Sequence, residues 1–124
     1  MKNTLLIIDN DPLLLRAATR VFRGMGWSVK PVLISKGTDD QARAAIKVPH
    51  DVILCDWDLG RGIKALDVTS LSDKPVVIWS GRPETIDASV RARYACYEKG
   101  MLGSFECINH RLLQLMGHGC LVAV

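Results

Sequence analysis

Two short acidic segments and one hydroxyl hold the chemical interest of this chain. Asp9-Asn10-Asp11 follows the apolar run Leu5-Leu6-Ile7-Ile8, Asp56-Trp57-Asp58 follows Val52-Ile53-Leu54-Cys55, and Ser80 follows Pro75-Val76-Val77-Ile78-Trp79. An acid ending a buried apolar strand is costly to desolvate unless it binds something, which marks Asp9 and Asp56 as functional candidates. Carboxylates gathered without a cation repel one another and raise a pKa, and a hard divalent ion, usually Mg2+, keeps them ionised. Such an ion also offsets charge on a phosphoryl group, and a carboxylate beside it can be the nucleophile that accepts that group. A hydroxyl at Ser80 is then placed to hydrogen-bond a phosphoryl oxygen, although serine at a strand end also makes local turn bonds. Asp11 reads as a helix cap, because Asp before Pro12 is ordinary helix-start chemistry. Asp58 reads as a solvated loop acid that contributes only its backbone. Trp57 and Trp79 read as rim residues beside Asp56 and Ser80.

Those groups need elements to position them. Continuous apolar runs such as Leu5–Ile8 and Val52–Cys55 suit strands covered on both faces. After Pro12, the spacing of Leu14, Ala18, Val21 and Met25 predicts an amphipathic helix with Arg16, Thr19, Arg20 and Arg23 outside, stopped at Gly24 and Gly26. Pro31 interrupts the next strand and places it near an edge. Thr38 and Gln41 form a capping pair for a second helix ending before Pro49. Ile86, Val90, Tyr94 and Tyr97 keep helical spacing up to Gly100. A weak apolar stretch over Phe105–Ile108 reads as the last strand, with Asn109 capping a helix through Leu112, Leu113 and Met116. The order β-α-β-α-β-(short α)-β-α-β-α is that of an α/β fold, a flavodoxin-like, doubly wound, five-stranded parallel sheet with helices on both faces. If so, the polar residues at the carboxyl ends of the strands converge on one edge of the sheet. Residues 1–117 read as a single domain and 118–124 as a C-terminal tail.

Composition excludes several functions. Of 124 residues, 16 are Lys or Arg and 13 are Asp or Glu, a formal net charge of +3. That balance is too mild to indicate nucleic acid or an anionic membrane as partner. The apolar runs are too short for a spanning helix and lack the basic flank of a secretory signal, so the chain reads as cytoplasmic. Four cysteines, Cys55, Cys96, Cys107 and Cys120, form no C-x-x-C pair, and read as reduced thiols. His50, His110 and His118 share no ligand spacing.

Taken together, the three strand-end segments resemble those of the receiver (CheY-like) domains of bacterial two-component response regulators. The resemblance rests on Leu5–Pro12, Asp51–Leu59 and Pro75–Gly81, and extends over residues 3 to 117. It implies a stand-alone, non-enzymatic signalling domain in a phosphorelay. A histidine kinase or phosphotransfer protein would donate a phosphoryl group to Asp56. Mg2+ would be held by Asp9, Asn10, Asp56 and the backbone carbonyl of Asp58, with no organic cofactor. Ser80 would be the switch hydroxyl, and Phe105 the aromatic residue that turns inward with it. A downstream protein would read the state on the face made by the fourth helix, fifth strand and fifth helix.

Three departures accompany the resemblance. Asn10 stands where an acid is usual, so metal affinity falls. The stretch from Asp56 to Pro75 is short, so the third helix is stunted or lost. The family's lysine at the end of the fifth strand is missing from Glu106-Cys107-Ile108-Asn109, and Lys74 and Lys99 precede their strands, at the wrong edge of the sheet. Arg61 and Arg82, at the right edge, are the candidate substitutes. These departures leave open a pseudo-receiver that binds protein without phosphorylation. An aspartyl-phosphate phosphatase of the haloacid dehalogenase type, suggested by Asp56-Trp57-Asp58, lacks the later lysine and acidic pair that such an enzyme needs.

Overall fold

The apolar runs assemble as the middle of one parallel sheet. The computed structural model describes residues 3–35, 39–101 and 103–117. In chain order the elements are β1 (Thr4–Asp9), α1 (Pro12–Gly24), β2 (Ser28–Leu33), α2 (Asp39–Lys47), β3 (Val52–Asp56), β4 (Asp58–Gly60), β5 (Ile63–Lys64), α3 (Ala65–Thr69), β6 (Val76–Ser80), a 3-10 turn (Pro83–Thr85), α4 (Ala88–Arg93), β7 (Ala95–Glu98) and α5 (Ser104–Leu115). The main sheet runs β2-β1-β3-β6-β7 with every pair parallel. The chain winds outward from β1 to β2, then crosses back to β3. Strand order therefore reverses between β1 and β3, where a doubly wound sheet opens a crevice at its carboxyl edge. The capping pair at Thr38, the tail 118–124 and His118 lie outside the described residues.

Side-chain alternation sorts the core into two layers. Leu5, Ile7, Leu54, Val77 and Trp79 face α1 and α5, where they meet Leu15, Ala18, Phe22, Ile108 and Leu112. Leu6, Ile8, Ile53, Cys55 and Ile78 face the other way, onto Ala42 and Ala45 of α2, Ala65 and Val68 of α3 and Val90 of α4. This is the expected architecture, with helices on both faces. The crossover after β3 is shortened as anticipated: a small β4–β5 hairpin and a five-residue α3 fill it.

β2 is an edge strand, and Pro31 shows why it tolerates that place. Ser28 N donates to Asn3 O and Ile34 N to Asp9 O, so the even-numbered residues bond inward to β1. Pro31 falls on the alternate set, and its missing N–H points to the outer edge, where no ladder bond is lost. The outward carbonyl of Val29 accepts from Arg23 Nη2 of α1 at 3.2 Å.

At the start of α1, Asp11 Oδ1 accepts from Leu13 N at 3.0 Å and Leu14 N at 3.3 Å, with Pro12 in the first turn. The buried stripe is Leu15, Ala18, Thr19 and Phe22. That is a rotation from the expected Leu14, Ala18, Val21 and Met25. Leu13-Leu14-Leu15 and Val21-Phe22 offer overlapping stripes, and the larger Phe22 occupies the core. Thr19 turns inward with it and bonds Leu15 O at 2.7 Å.

The C-terminal third departs most from the sequence reading. α4 ends at Arg93 with Tyr94 as its cap, and Ala95 to Glu98 leave the helix to pair with β6. Helical spacing of Ile86, Val90, Tyr94 and Tyr97 loses to the ladder, because aromatic residues fit a pleated, half-buried surface and β6 otherwise keeps an open edge. Tyr94 and Cys96 join one core layer, and Tyr97 joins the other. Phe105–Ile108 is therefore helical, in α5. Asn109 caps nothing: it lies mid-helix, where its Oδ1 accepts from Trp27 Nε1 at 2.7 Å.

Candidate functional site at the carboxyl edge of the sheet

β1 and β3 are neighbours, so their last residues, Asp9 and Asp56, stand side by side at the switch point. Both are buried, Asp9 completely and Asp56 at 5% exposure. Asp9 Oδ1 accepts from Asp11 N at 2.9 Å, which fixes the carboxylate and starts the turn into α1. β7 ends nearby, and its next residue is Lys99. Lys99 N donates to Ser80 O at 2.8 Å, extending the ladder by one step and anchoring the lysine at the carboxyl edge. Its Nζ lies 2.8 Å from Asp9 Oδ2 and 3.0 Å from Asp56 Oδ1. The same ammonium stands 5.2 Å from the centroid of the Trp79 ring. The expectation that no lysine follows the fifth strand is thus corrected: the fifth strand lies earlier in the chain than expected, and Lys99 follows it. The usable signal was Tyr94-Ala95-Cys96-Tyr97, four residues suited to a strand, closed by Lys99-Gly100.

The electrostatics follow from the count of charges. One ammonium faces two buried carboxylates, leaving an excess of negative charge. Burial first, and the Asp9 charge second, push the Asp56 carboxyl up to about 7, against the opposing pull of Lys99. Asp9 Oδ2 is buried and takes no well-aligned hydrogen bond, so the ion pair with Lys99 is what stabilises it. Next to Asp56, burial and the two carboxylates push the Cys55 thiol well above its ordinary range. Cys55 is consequently inert as a nucleophile.

The remaining expected site residues divide. Ser80 is buried at the end of β6, on the carboxyl edge, and its Oγ accepts from Arg82 N at 3.0 Å, the local turn bond. Asn10 is exposed and stands beside the β4 loop, where a β-carbon on Gly60 would sit 3.7 Å from its Nδ2. Asp58 turns its carboxylate outward: Oδ1 accepts from Gly60 N at 2.9 Å, and Oδ2 lies 3.5 Å from Lys64 Nζ. The Asp58 carboxylate is thus engaged by the β4–β5 hairpin and not by Asp56. Trp57 and Trp79 are core residues and not rim residues, each with under a tenth of its surface exposed. Trp57 N donates to Trp79 O at 2.9 Å, so both backbones continue the β3–β6 ladder and hold their rings in opposite core layers. Phe105 packs on Phe22 and Trp79, with ring centroids 5.6 and 6.1 Å away, in the layer opposite Ile78. It is therefore not the aromatic partner of Ser80. Arg61 and Arg82 are exposed, and Arg82 Nε lies 3.6 Å from Glu84 Oε1. Lys99, and neither arginine, stands against the two carboxylates.

Among the described residues no three His, Cys, Asp or Glu side chains gather in a metal cluster. The donor set at this edge is two carboxylates with an amide nearby. It fits a hard cation on two observations: the burial and the neighbouring Asp9 charge that together raise Asp56, and the buried Asp9 oxygen that lacks an aligned donor.

The chain resembles solved receiver domains over most of its length. A receiver protein from Sinorhizobium medicae superposes with a TM-score of 0.74 at 16% identity, covering 94% of this chain and 95% of that one. The REC domain of the PhyR response regulator of Erythrobacter litoralis gives 0.70 at 21% identity, covering 94% and 91%. The N-terminal domain of a response regulator/sensory box/GGDEF protein from Carboxydothermus hydrogenoformans gives 0.64 at 22% identity, covering 93% and 99%. The chain has the receiver fold. No protein-family model matches the receiver-like chain, and no curated protein does. Among the described residues no helix is long and apolar enough to cross a membrane.

Proposed function

We propose that the chain is a two-component receiver that accepts a phosphoryl group on Asp56 and signals by protein–protein contact. The observation that carries this reading is Lys99, whose ammonium bridges Asp9 and Asp56 at the carboxyl edge beside Ser80. Asp56 is the nucleophile: a carboxylate oxygen attacks phosphorus as the bond to a donor's imidazole nitrogen breaks, and the imidazole keeps the electron pair. Lys99 meets the charge of the transferred group, and the Ser80 hydroxyl is placed to bond one of its oxygens once freed from the Arg82 amide. Asp9 and Asp56, with the Asn10 amide oxygen and the Asp58 carbonyl, would hold Mg2+, which when bound supplies positive charge against the phosphoryl oxygens. The donor in this reading is a histidine kinase or phosphotransfer protein of a bacterial cytoplasm. The output face is α4, β7 and α5.

Mg2+-dependent labelling by a small acyl phosphate tests the reading. The expected result is one phosphoryl group per chain, lost in Asp56→Asn. Equal labelling of that variant, or no labelling of the parent, overturns the reading.

A second reading is favoured by Asn10, which brings no charge to the metal side of the pocket. In it, the receiver fold binds partners without phosphorylation, and partner affinity is the same for the parent and for Asp56→Asn.

A further inference from the structure

We propose that the groove between α1 and the outer edge of β2 is a docking site for an acidic amphipathic helix of a partner protein. The groove is an open depression of about 550 Å3 with an apolar lining of Pro12 and Leu15 from α1 and Pro31 and Leu33 from β2. Leu33 is 39% exposed, a large apolar residue at the sheet edge. Along one rim stand Arg16, Arg20 and Arg23. Their spacing of four and three residues puts them about one helical turn apart, a row about 10 Å long.

The charge of that row is unopposed among the described residues. α1 contains no acid, and the Asp11 carboxylate at its start accepts from helix amides. Arg23 is tied to Val29 O, whereas Arg16 and Arg20 make no ion pair or hydrogen bond among the described residues. Two free guanidinium groups beside an apolar lining call for an occupant with carboxylates on one flank and aliphatic side chains below. An amphipathic helix with acids one turn apart offers both at the same pitch as the arginine row. A β-strand is the poorer fit, because Pro31 removes an outward donor and Arg23 covers an outward carbonyl. The groove is lined by α1 and β2 and includes neither Lys99 nor Asp56, so it does not rest on phosphorylation.

The test is a 15N NMR titration of the full chain with a synthetic helical peptide carrying leucines on one face and glutamates on its flanks. A matched peptide with lysines for glutamates is the control. Expected are shifts confined to residues 12–24 and 28–33, at least tenfold weaker binding for Arg16→Glu/Arg20→Glu, and unchanged binding for Arg91→Glu. Arg16→Gln/Arg20→Gln, a milder change at exposed positions, gives an intermediate loss and guards against misfolding of the charge-reversed protein. The proposal is overturned if the acidic peptide gives no shifts, or if the control binds equally. It also fails if the charge-reversed variant keeps its affinity, or if phosphatidylglycerol vesicles shift the groove while the peptide does not.

Discussion

Lys99 Nζ lies 3.0 Å from Asp56 Oδ1 and 2.8 Å from Asp9 Oδ2, so a single cation from the last strand ties together the ends of β1, β3 and β7. With Lys99 only 13% exposed, the contact is largely shielded from water. Removing one member of a buried ion pair costs about 3 to 5 kcal/mol, because the partner charge is left uncompensated. Lys99→Met in metal-free buffer is therefore expected to lose about 3 kcal/mol at pH 8. At pH 4 the loss shrinks, since Asp56 is then protonated with or without the lysine. Urea unfolding at both pH values measures this, and an equal loss at both would show that side-chain packing is its source instead of charge.

Asp56 itself opposes folding at neutral pH. Its folded-state value of about 7 exceeds the ordinary carboxyl value of 3.8. Between those values the native state keeps a proton that the unfolded chain has released, so this group makes stability fall as pH rises. Below about 3 both states are protonated and the contribution vanishes. Asp56→Asn without divalent cations is expected to be more stable than the parent by about 4 kcal/mol at pH 8, and nearly equal to it at about pH 3. Parallel pH–stability curves for the two proteins would contradict the assignment.

How much of this was legible in the sequence varies along the chain. Asp9, Asp56 and Ser80 were readable because each closes an apolar run, and a buried strand that ends in a polar group announces the edge of a parallel sheet. Pro31 marked the β2 edge for a purely local reason, its missing donor. Lys99 was not found, because Tyr94 and Tyr97 continue the helical spacing of Ile86 and Val90, and only pairing with β6, a contact distant in sequence, makes them a strand. A strand misplaced by ten residues turned the site's own cation into a distant surface lysine. The burial of Trp57 and Trp79 was likewise hidden, since nothing local says that helices cover both sides of a strand end.

Trp79 should report on the pocket. The Lys99 ammonium stands 5.2 Å from its ring, so any charge that draws Lys99 away from the carboxylates changes the field at the indole. Mg2+ with beryllofluoride, a phosphoryl mimic, is expected to alter tryptophan emission in the parent. The change should disappear in Trp79→Phe and persist in Trp27→Phe. Persistence in Trp79→Phe would assign the signal to Trp57, whose ring lies in the opposite layer.

Trp27 and Asn109 test the corrected position of α5. The Trp27 indole N–H donates to Asn109 Oδ1 at 2.7 Å, and the tryptophan is 4% exposed, so deleting the amide leaves a nearly buried donor unpaired. Such a donor costs about 1 to 3 kcal/mol, partly offset by the better helix propensity of alanine, worth about 0.7 kcal/mol. Asn109→Ala is therefore expected to lose about 1 kcal/mol. In a Trp27→Phe background, where no donor remains, the same substitution should be neutral or slightly stabilising. A double-mutant cycle by chemical denaturation measures the difference. A helix cap at Asn109 predicts the opposite pattern, with the same loss whether or not Trp27 is present.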